Sequence, residues 1–310
     1  MLKNYFNFLQ KKSPPGFCGL YLLPDKLMMT HVLFDRGKPV VTFCDSITYE
    51  LDMLAATLAS IIKKHALQGM ACSWILHDSF YRLFLLDPPA IPEKEVPLAL
   101  RWQVKELIDF PAEEAVIEYF PVPATLASRR KIFVTVAKKT QLQAVVDIIN
   151  NTELNLKYVD IGELALRNIT ALYNDDQCYL GLLIVNKNHI DFIITHEKNL
   201  LLTRRLPPPE IAETGVMSPQ WLEAFKTEIQ NSFSYCKGQQ QQEGMPAKLL
   251  ISTSMPDFVE QFSQVSQTPP ETLRIRKKID FEFIIPSDNY LSAEYLMVMG
   301  GALRGRSSHP

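Results

Sequence analysis

Apolar residues along this chain follow two rhythms, and the rhythms alternate in the same order twice. Apolar runs over 18–23, 27–34 and 39–44 predict three short strands, turned at Pro24-Asp25 and at Arg36-Gly37-Lys38. Leu51, Leu54, Leu58, Ile61 and Ile62 then share one face of a helix, and 71–76 predicts a fourth strand. The second series predicts strands at 178–185, 189–195 and 199–206, turned at Asn186-Lys187-Asn188 and His196-Glu197-Lys198. Pro207-Pro208-Pro209 ends it, because proline cannot donate to a sheet ladder. Ser218 and Pro219 read as an N-cap and a first helical residue, opening a helix with Leu222, Phe225, Ile229 and Phe233 on one face. A polar stretch over 237–244, with Gln239 to Gln242 at its centre, reads as a mobile loop before a closing strand at 248–251.

Three meandering strands, a crossover helix and a further strand, given twice, describe an α/β protein with the two-lobed fold shared by actin, Hsp70 and the sugar kinases. The length of 310 residues suits two lobes, at about 150 residues per domain. Material between the copies has its own order. Prolines at 88, 89 and 92 mark a stiff boundary, and Val96, Leu100, Val104 and Leu107 share a helical face. Strands at 116–120 and 132–137 follow, then a helix carrying Leu142, Val145, Val146 and Ile149. The expected division is a first lobe over 1–79, an inserted α/β subdomain over 80–154, a return to the first lobe over 155–175 and a second lobe over 176–310. The insert is expected to pack as one unit beside the first lobe, and the final helix to reach back toward it.

Composition narrows the function classes. The chain is 47% hydrophobic and 21% charged, which excludes a mostly disordered protein. A net charge of −2 gives no broad basic surface, so nucleic acid is not an expected partner. The apolar run over 180–185 falls well short of the ~20 residues of a spanning helix, so no transmembrane segment is expected. Residues 1–12 lack a continuous apolar core and are not a secretory signal; they read as a short helix lying on the fold, with a membrane-surface anchor as the alternative. Five scattered cysteines, none spaced as C-x-x-C, point to buried thiols in a reducing compartment, and the expected location is cytoplasmic. No P-loop, G-x-G-x-x-G, H-E-x-x-H or G-x-S-x-G motif occurs. His65 extends the apolar face of the first helix as a satisfied, partly buried side chain, and the adjacent Glu113 and Glu114 cannot face each other as an acid/base pair.

The segment 98–111, with Arg101, Trp102, Leu107, Ile108, Phe110 and Pro111, resembles the inserted-subdomain helix and turn of PilM-like type IV pilus assembly proteins. The acidic run at 112–115 and the strands at 116–119 and 131–138 follow as they do in that family. Residues 156–166 are similar to its Val-Asp lead-in to a helix, and 227–235 to its second-lobe helix. The tail 298–305, with Gly301, Ala302, Leu303, Arg304 and Gly305, is similar to its closing Gly-x-Ala-Leu-Arg-Gly segment. Within the family the MshI-like proteins of the MSHA pilus system fit best, and the cytoplasmic region of the type II secretion L protein is a cousin. The resemblance implies a role in pilus assembly, the tail of an inner-membrane PilN-like protein as partner, and a pilus motor ATPase as a further contact. It implies an extended, Asn-Leu-Leu-Pro-like tail segment held between first lobe and insert, with Arg101, Trp102, Leu107 and Phe110 as candidate contacts.

The same fold binds nucleotide in its active members, which requires small residues at each lobe's first hairpin and an acid to hold Mg²⁺. This sequence departs from that pattern. Tyr21 stands at the acid position, Leu23 at the second glycine, and Pro24 removes a donor, while Asp25 remains nearby in a turn. The second hairpin offers Asn186 and no acid or glycine, and the second-lobe glycine turn reads Ser252-Thr253. The expectation is a non-catalytic scaffold without a bound cofactor, ATP or Mg²⁺, whose cleft is narrowed by side chains. An active ATPase or small-molecule kinase of the same fold is the alternative, and a component related to the secretion L protein a further one.

Overall fold

The computed structural model describes residues 14–124, 130–173, 178–211, 216–255, 257–284 and 291–306. The N-terminal helix expected over 1–12 lies outside them.

Strand β1 (Phe17–Leu22) is buried at every position, as a strand inside a sheet covered on both faces must be. It pairs antiparallel with β2 (Lys26–Asp35), which pairs antiparallel with β3 (Lys38–Thr48). Helix α1 (Leu54–Lys64) buries Leu54, Leu58, Ile61 and Ile62 and carries the chain over to β4 (Ala71–Leu76), parallel to β1. A 3-10 turn over Leu51–Met53 precedes α1, so the α-helix starts one turn later than the apolar spacing predicts. His65 caps the helix end as expected of a satisfied histidine. Its ring stacks on Phe43 with centroids 3.7 Å apart, and its Nε2 lies 2.9 Å from Asp45 Oδ2.

The insert begins with a strand that the sequence reading missed, β5 (Tyr81–Leu86). Helix α2 (Val96–Val104) buries Val96, Leu100 and Val104. It ends before Leu107, which sits in the following turn and is exposed instead of sharing the helical face. Strands β6 (Ala115–Val122) and β7 (Lys131–Lys138) complete a three-stranded antiparallel sheet in the order β5-β7-β6. Helix α3 (Lys139–Asn150) buries Val145 and Ile149 in the same apolar cluster as Leu54, Leu58 and Trp74. That cluster also holds Tyr81 of β5 and Ala137 of β7, so the helix is shared between the insert's own sheet and the first lobe's core, with its apolar face meeting α1 as well. On the other side, Val122 and Phe133 join the core of the second lobe.

Strand β8 (Asn155–Ile161) lies parallel to β4 and leads into α4 (Gly162–Thr170). The second lobe repeats the plan with β9 (Tyr179–Val185), β10 (Ile190–His196), β11 (Asn199–Leu206), α5 (Pro219–Gln240) and β12 (Ala247–Thr253). Helix α6 (Phe258–Ser263) and β13 (Pro270–Thr272) extend it. The sheet orders make the duplication explicit: β3-β2-β1-β4-β8 in the first lobe and β11-β10-β9-β12-β13 in the second. In both, an antiparallel meander precedes parallel pairings reached by crossover.

Ser218 caps α5 as expected, its Oγ accepting from the Trp221 N–H at 3.4 Å. The helix then continues through Gly238 to Gln240, where a mobile loop was expected. The glutamines are held in place. Gln240 is buried and donates to the Pro123 carbonyl, and the Tyr179 hydroxyl donates to Gln242 Oε1 at 2.9 Å.

The chain ends by returning to the first lobe. Strand β14 (Asp280–Phe281) pairs with β3, and α7 (Ala293–Ala302) lies against β1, β2, β4 and α4. That approach requires glycine: a Cβ on Gly19 would meet the Val298 carbonyl at 2.1 Å, and one on Gly300 the Ala165 carbonyl at 2.0 Å.

Candidate functional site

In an open α/β sheet, ligands bind beyond the carboxyl ends of the strands. Here those ends face each other across an interlobe cleft. Tyr21 and Leu23 close β1, His77 and Asp78 follow β4, Gly162 and Glu163 follow β8, and Asn186 follows β9. Asp191 on β10 and Arg205 on β11 complete the far wall, and α7 contributes Glu294. The enclosed space is about 120 Å³, below the ~300 Å³ at which small-molecule sites begin. A wider space of about 520 Å³ continues outward and shares Asp78, Tyr81, Glu163, Asp191 and Arg205 with it.

The cleft's charges are largely satisfied from within the chain. Arg205 Nη1 lies 2.8 Å from Asp78 Oδ2, and its Nε lies 3.3 Å from Asp191 Oδ1. Burial opposes ionisation of Asp78, but the Arg205 hydrogen bond and the charges of His77 and His189 outweigh it and hold the carboxyl below its ordinary value. His189 Nε2 and Asn186 Nδ2 also approach Asp191 Oδ2, at 3.1 and 3.5 Å. The Tyr81 hydroxyl donates to Glu163 Oε2 at 2.6 Å. Burial raises the Glu163 carboxyl, with the Tyr81 bond acting against it. Burial, then the neighbouring Asp78 and Glu294 charges, push the Tyr21 phenol upward. Glu163 and Glu294 also occupy the first turns of α4 and α7, where helix N-termini would otherwise attract an anion.

The six degenerate phosphate positions separate in space. Tyr21, Leu23 and Asn186 line the cleft, whereas Asp25, Ser252 and Thr253 do not. Asp25 is an exposed turn residue whose carbonyl accepts from Tyr49 N–H at 3.1 Å. Ser252 is buried and donates to the Leu291 carbonyl at 2.7 Å, tying β12 to the segment before α7. Thr253 Oγ1 accepts from the Met255 N–H at 3.0 Å. Among the described residues, no group of three or more His, Cys, Asp or Glu side chains is arranged to hold a metal ion.

A second depression lies where the insert meets the first lobe. This groove, of about 260 Å³, is lined by Ser79, Phe80, Tyr81, Arg82, Asp109, Phe110, Val136, Lys138 and Gln141. Of the four candidate partner contacts only Phe110 reaches it. Arg101 is occupied internally, donating to the Ala112 carbonyl and, at 3.4 Å, to that of Ala115. Trp102 is 66% exposed on the outer face of α2, with Lys105 Nζ 5.5 Å from its ring centre, and Leu107 is 47% exposed in the turn.

Sequence reasoning missed Asp78, Glu163, Asp191 and Arg205. Their signal is position alone: Asp78 and Glu163 each stand two residues beyond a parallel strand's end, where the crevice rule places ligands.

No protein-family model matches the chain, and no curated protein matches its sequence. The fold has solved counterparts. The PilM-PilN type IV pilus biogenesis complex matches with a TM-score of 0.68 at 15% identity, covering 94% of this chain and 99% of that one. The cytoplasmic domain of EpsL from Vibrio cholerae, an inner membrane component of the type II secretion system, matches with a TM-score of 0.50 at 11% identity, covering 93% and 94%. The chain thus has the actin-like two-lobed fold that its duplicated pattern predicts.

Proposed function

We propose that this protein is a non-catalytic scaffold of a type IV pilus assembly machine of the MSHA kind. It holds the cytoplasmic N-terminal tail of a PilN-like inner-membrane protein. The observation that carries this reading is the groove between insert and first lobe, where the half-buried Phe80 and Phe110 offer apolar surface beside Arg82, Lys138 and Gln141. An extended peptide needs that combination, apolar recesses for side chains and polar groups for its backbone. The structural likeness to a chain solved in a PilM-PilN complex supports the choice of partner. No helix among the described residues is long and apolar enough to cross a membrane.

In this reading the cleft holds no Mg-nucleotide. Tyr21 is buried on its inner wall, and Glu163 and Glu294 oppose an added polyanion. Asp78 is already engaged by Arg205. A motor ATPase as a further contact rests on the family resemblance, and a place in a type II secretion machine on the weaker likeness to EpsL.

Calorimetric titration tests both halves. A short synthetic peptide containing Asn-Leu-Leu-Pro should bind, and ATP with Mg²⁺ should not bind more tightly than about millimolar. Micromolar nucleotide binding with no peptide binding would reverse the assignment.

A further inference from the structure

Besides the packing of α4 on β10 and β11 and the pairing of β14 with β3, two contacts remote from each other join the lobes. At the floor, Arg205 of the second lobe reaches Asp78 of the first, 127 residues away in sequence, at 2.8 Å. On the outer side, the insert rests on the second lobe. Val122 and Phe133 share an apolar cluster with Leu200, Leu201 and Leu202, Leu83 and Phe120 pack against it, and Gln240 of α5 donates to the Pro123 carbonyl. The space left in this seam is about 10 Å³, at the lower limit for one water molecule.

We propose that the chain locks its own lobes shut: Arg205 fastens the cleft floor, and the insert is a strap from the first lobe to the second. In a hinged two-lobed fold, closure is commonly set by a ligand that touches both sides. Here a guanidinium and an amide-tipped apolar seam make the bridging contacts. Opening breaks the Arg205–Asp78 pair and uncovers Val122 and Phe133 together, so both ties resist one motion. Because the ties are distant and share no partner, their effects on the open population multiply.

Tyr21 reports on this motion, since its ring is 6% exposed at the cleft floor. The experiment treats the full chain with tetranitromethane and follows nitration of Tyr21 by peptide mass spectrometry. Arg205→Ala should speed nitration about two- to fivefold, the range for a partly exposed ion pair. Gln240→Ala should speed it about two- to tenfold, the range for a lost hydrogen bond, although Gln240 does not line the cleft. The double variant should show the product of the two factors. Gln240→Glu, which keeps the side chain's size and removes its donor, gives the same reading if Gln240→Ala fails to fold. Lys64→Ala, which breaks an ion pair with Asp45 on the far side of the first lobe's core, should change nothing. The proposal is overturned if folded Gln240 variants nitrate at the parent rate, or if the double variant matches Arg205→Ala alone.

Discussion

The phenol of Tyr81 donates to Glu163 Oε2 at 2.6 Å, joining the first strand of the insert to the first turn of α4 at the cleft. This bond favours the ionised carboxyl where burial works against it. Burial raises the folded-state value of Glu163 above the ordinary 4.5, and the Tyr81 donor pulls it back. A raised folded value means that the associated stability is complete below the unfolded value and is lost as pH climbs through the folded one. Tyr81→Phe removes the counteracting donor, so the loss should extend to higher pH. Urea unfolding should show the variant about 1–3 kcal/mol less stable near neutrality, with the gap narrowing below about pH 4. A gap that is constant with pH would show that Tyr81 acts by packing alone.

The helix α7 sets a steric requirement that the sequence can be asked to violate. A methyl group on Gly300 would stand 2.0 Å from the Ala165 carbonyl, which belongs to helix backbone and cannot swing aside. Gly300→Ala should destabilise the chain by about 3 kcal/mol or more, at the upper end of overpacking costs. Gly238 sits inside α5 with nothing within 4 Å of its added Cβ. Gly238→Ala should therefore stabilise by about 0.5–1 kcal/mol, through helix propensity. Chemical denaturation of both variants checks the pair, and similar effects at the two positions would contradict the placement of α7.

What the sequence made legible follows from how local each signal is. The two meanders could be read because alternation of apolar residues and turn pairs such as Arg36-Gly37 are written within a few neighbours. Strand β5 escaped because Tyr81 to Leu86 runs directly into Asp87-Pro88-Pro89, and its partner β7 lies some fifty residues on. The glutamines after Gly238 look solvated in sequence, yet Pro123 and Tyr179 reach them from distant parts of the chain. The cleft acids were invisible for the same reason. Asp78, Glu163 and Asp191 sit in unrelated contexts, and only the facing of strand ends brings them to Arg205 and Tyr81.

The chemistry of the cleft gives a ligand prediction. A nucleotide bound at 100 times its dissociation constant would stabilise the folded state by about 2.7 kcal/mol. With Tyr21 buried and Asp78 engaged, Mg-ATP at a few millimolar should leave the melting temperature unchanged. A rise of several degrees would show a nucleotide site and overturn the non-catalytic reading. If Arg205→Ala gained such a rise, the ion pair would be what excludes the ligand.

The candidate partner contacts divide into residues that hold the insert and residues that are open to a ligand. Arg101 donates to the carbonyls of Ala112 and Ala115, and Ala112 is buried. Arg101→Ala removes a side-chain donor from both, although the Ala112 carbonyl still accepts from the Ala115 N–H, and should cost about 0.5–1.5 kcal/mol of stability. Trp102, 66% exposed, should be replaceable by alanine with a change within about 0.5 kcal/mol. Binding should follow the opposite order of exposure, because Phe110 is the candidate that lines the groove. An aromatic anchor typically loses about 2 kcal/mol or more of binding on truncation, roughly a thirtyfold weaker complex. Titrating the Asn-Leu-Leu-Pro peptide into Phe110→Ala and Trp102→Ala separates the surfaces, with urea unfolding to show that each variant is folded. Loss of binding in the first and not the second places the tail between insert and first lobe. The reverse result would move it to the outer face of α2, where Leu98 and Trp102 stand one helical turn apart.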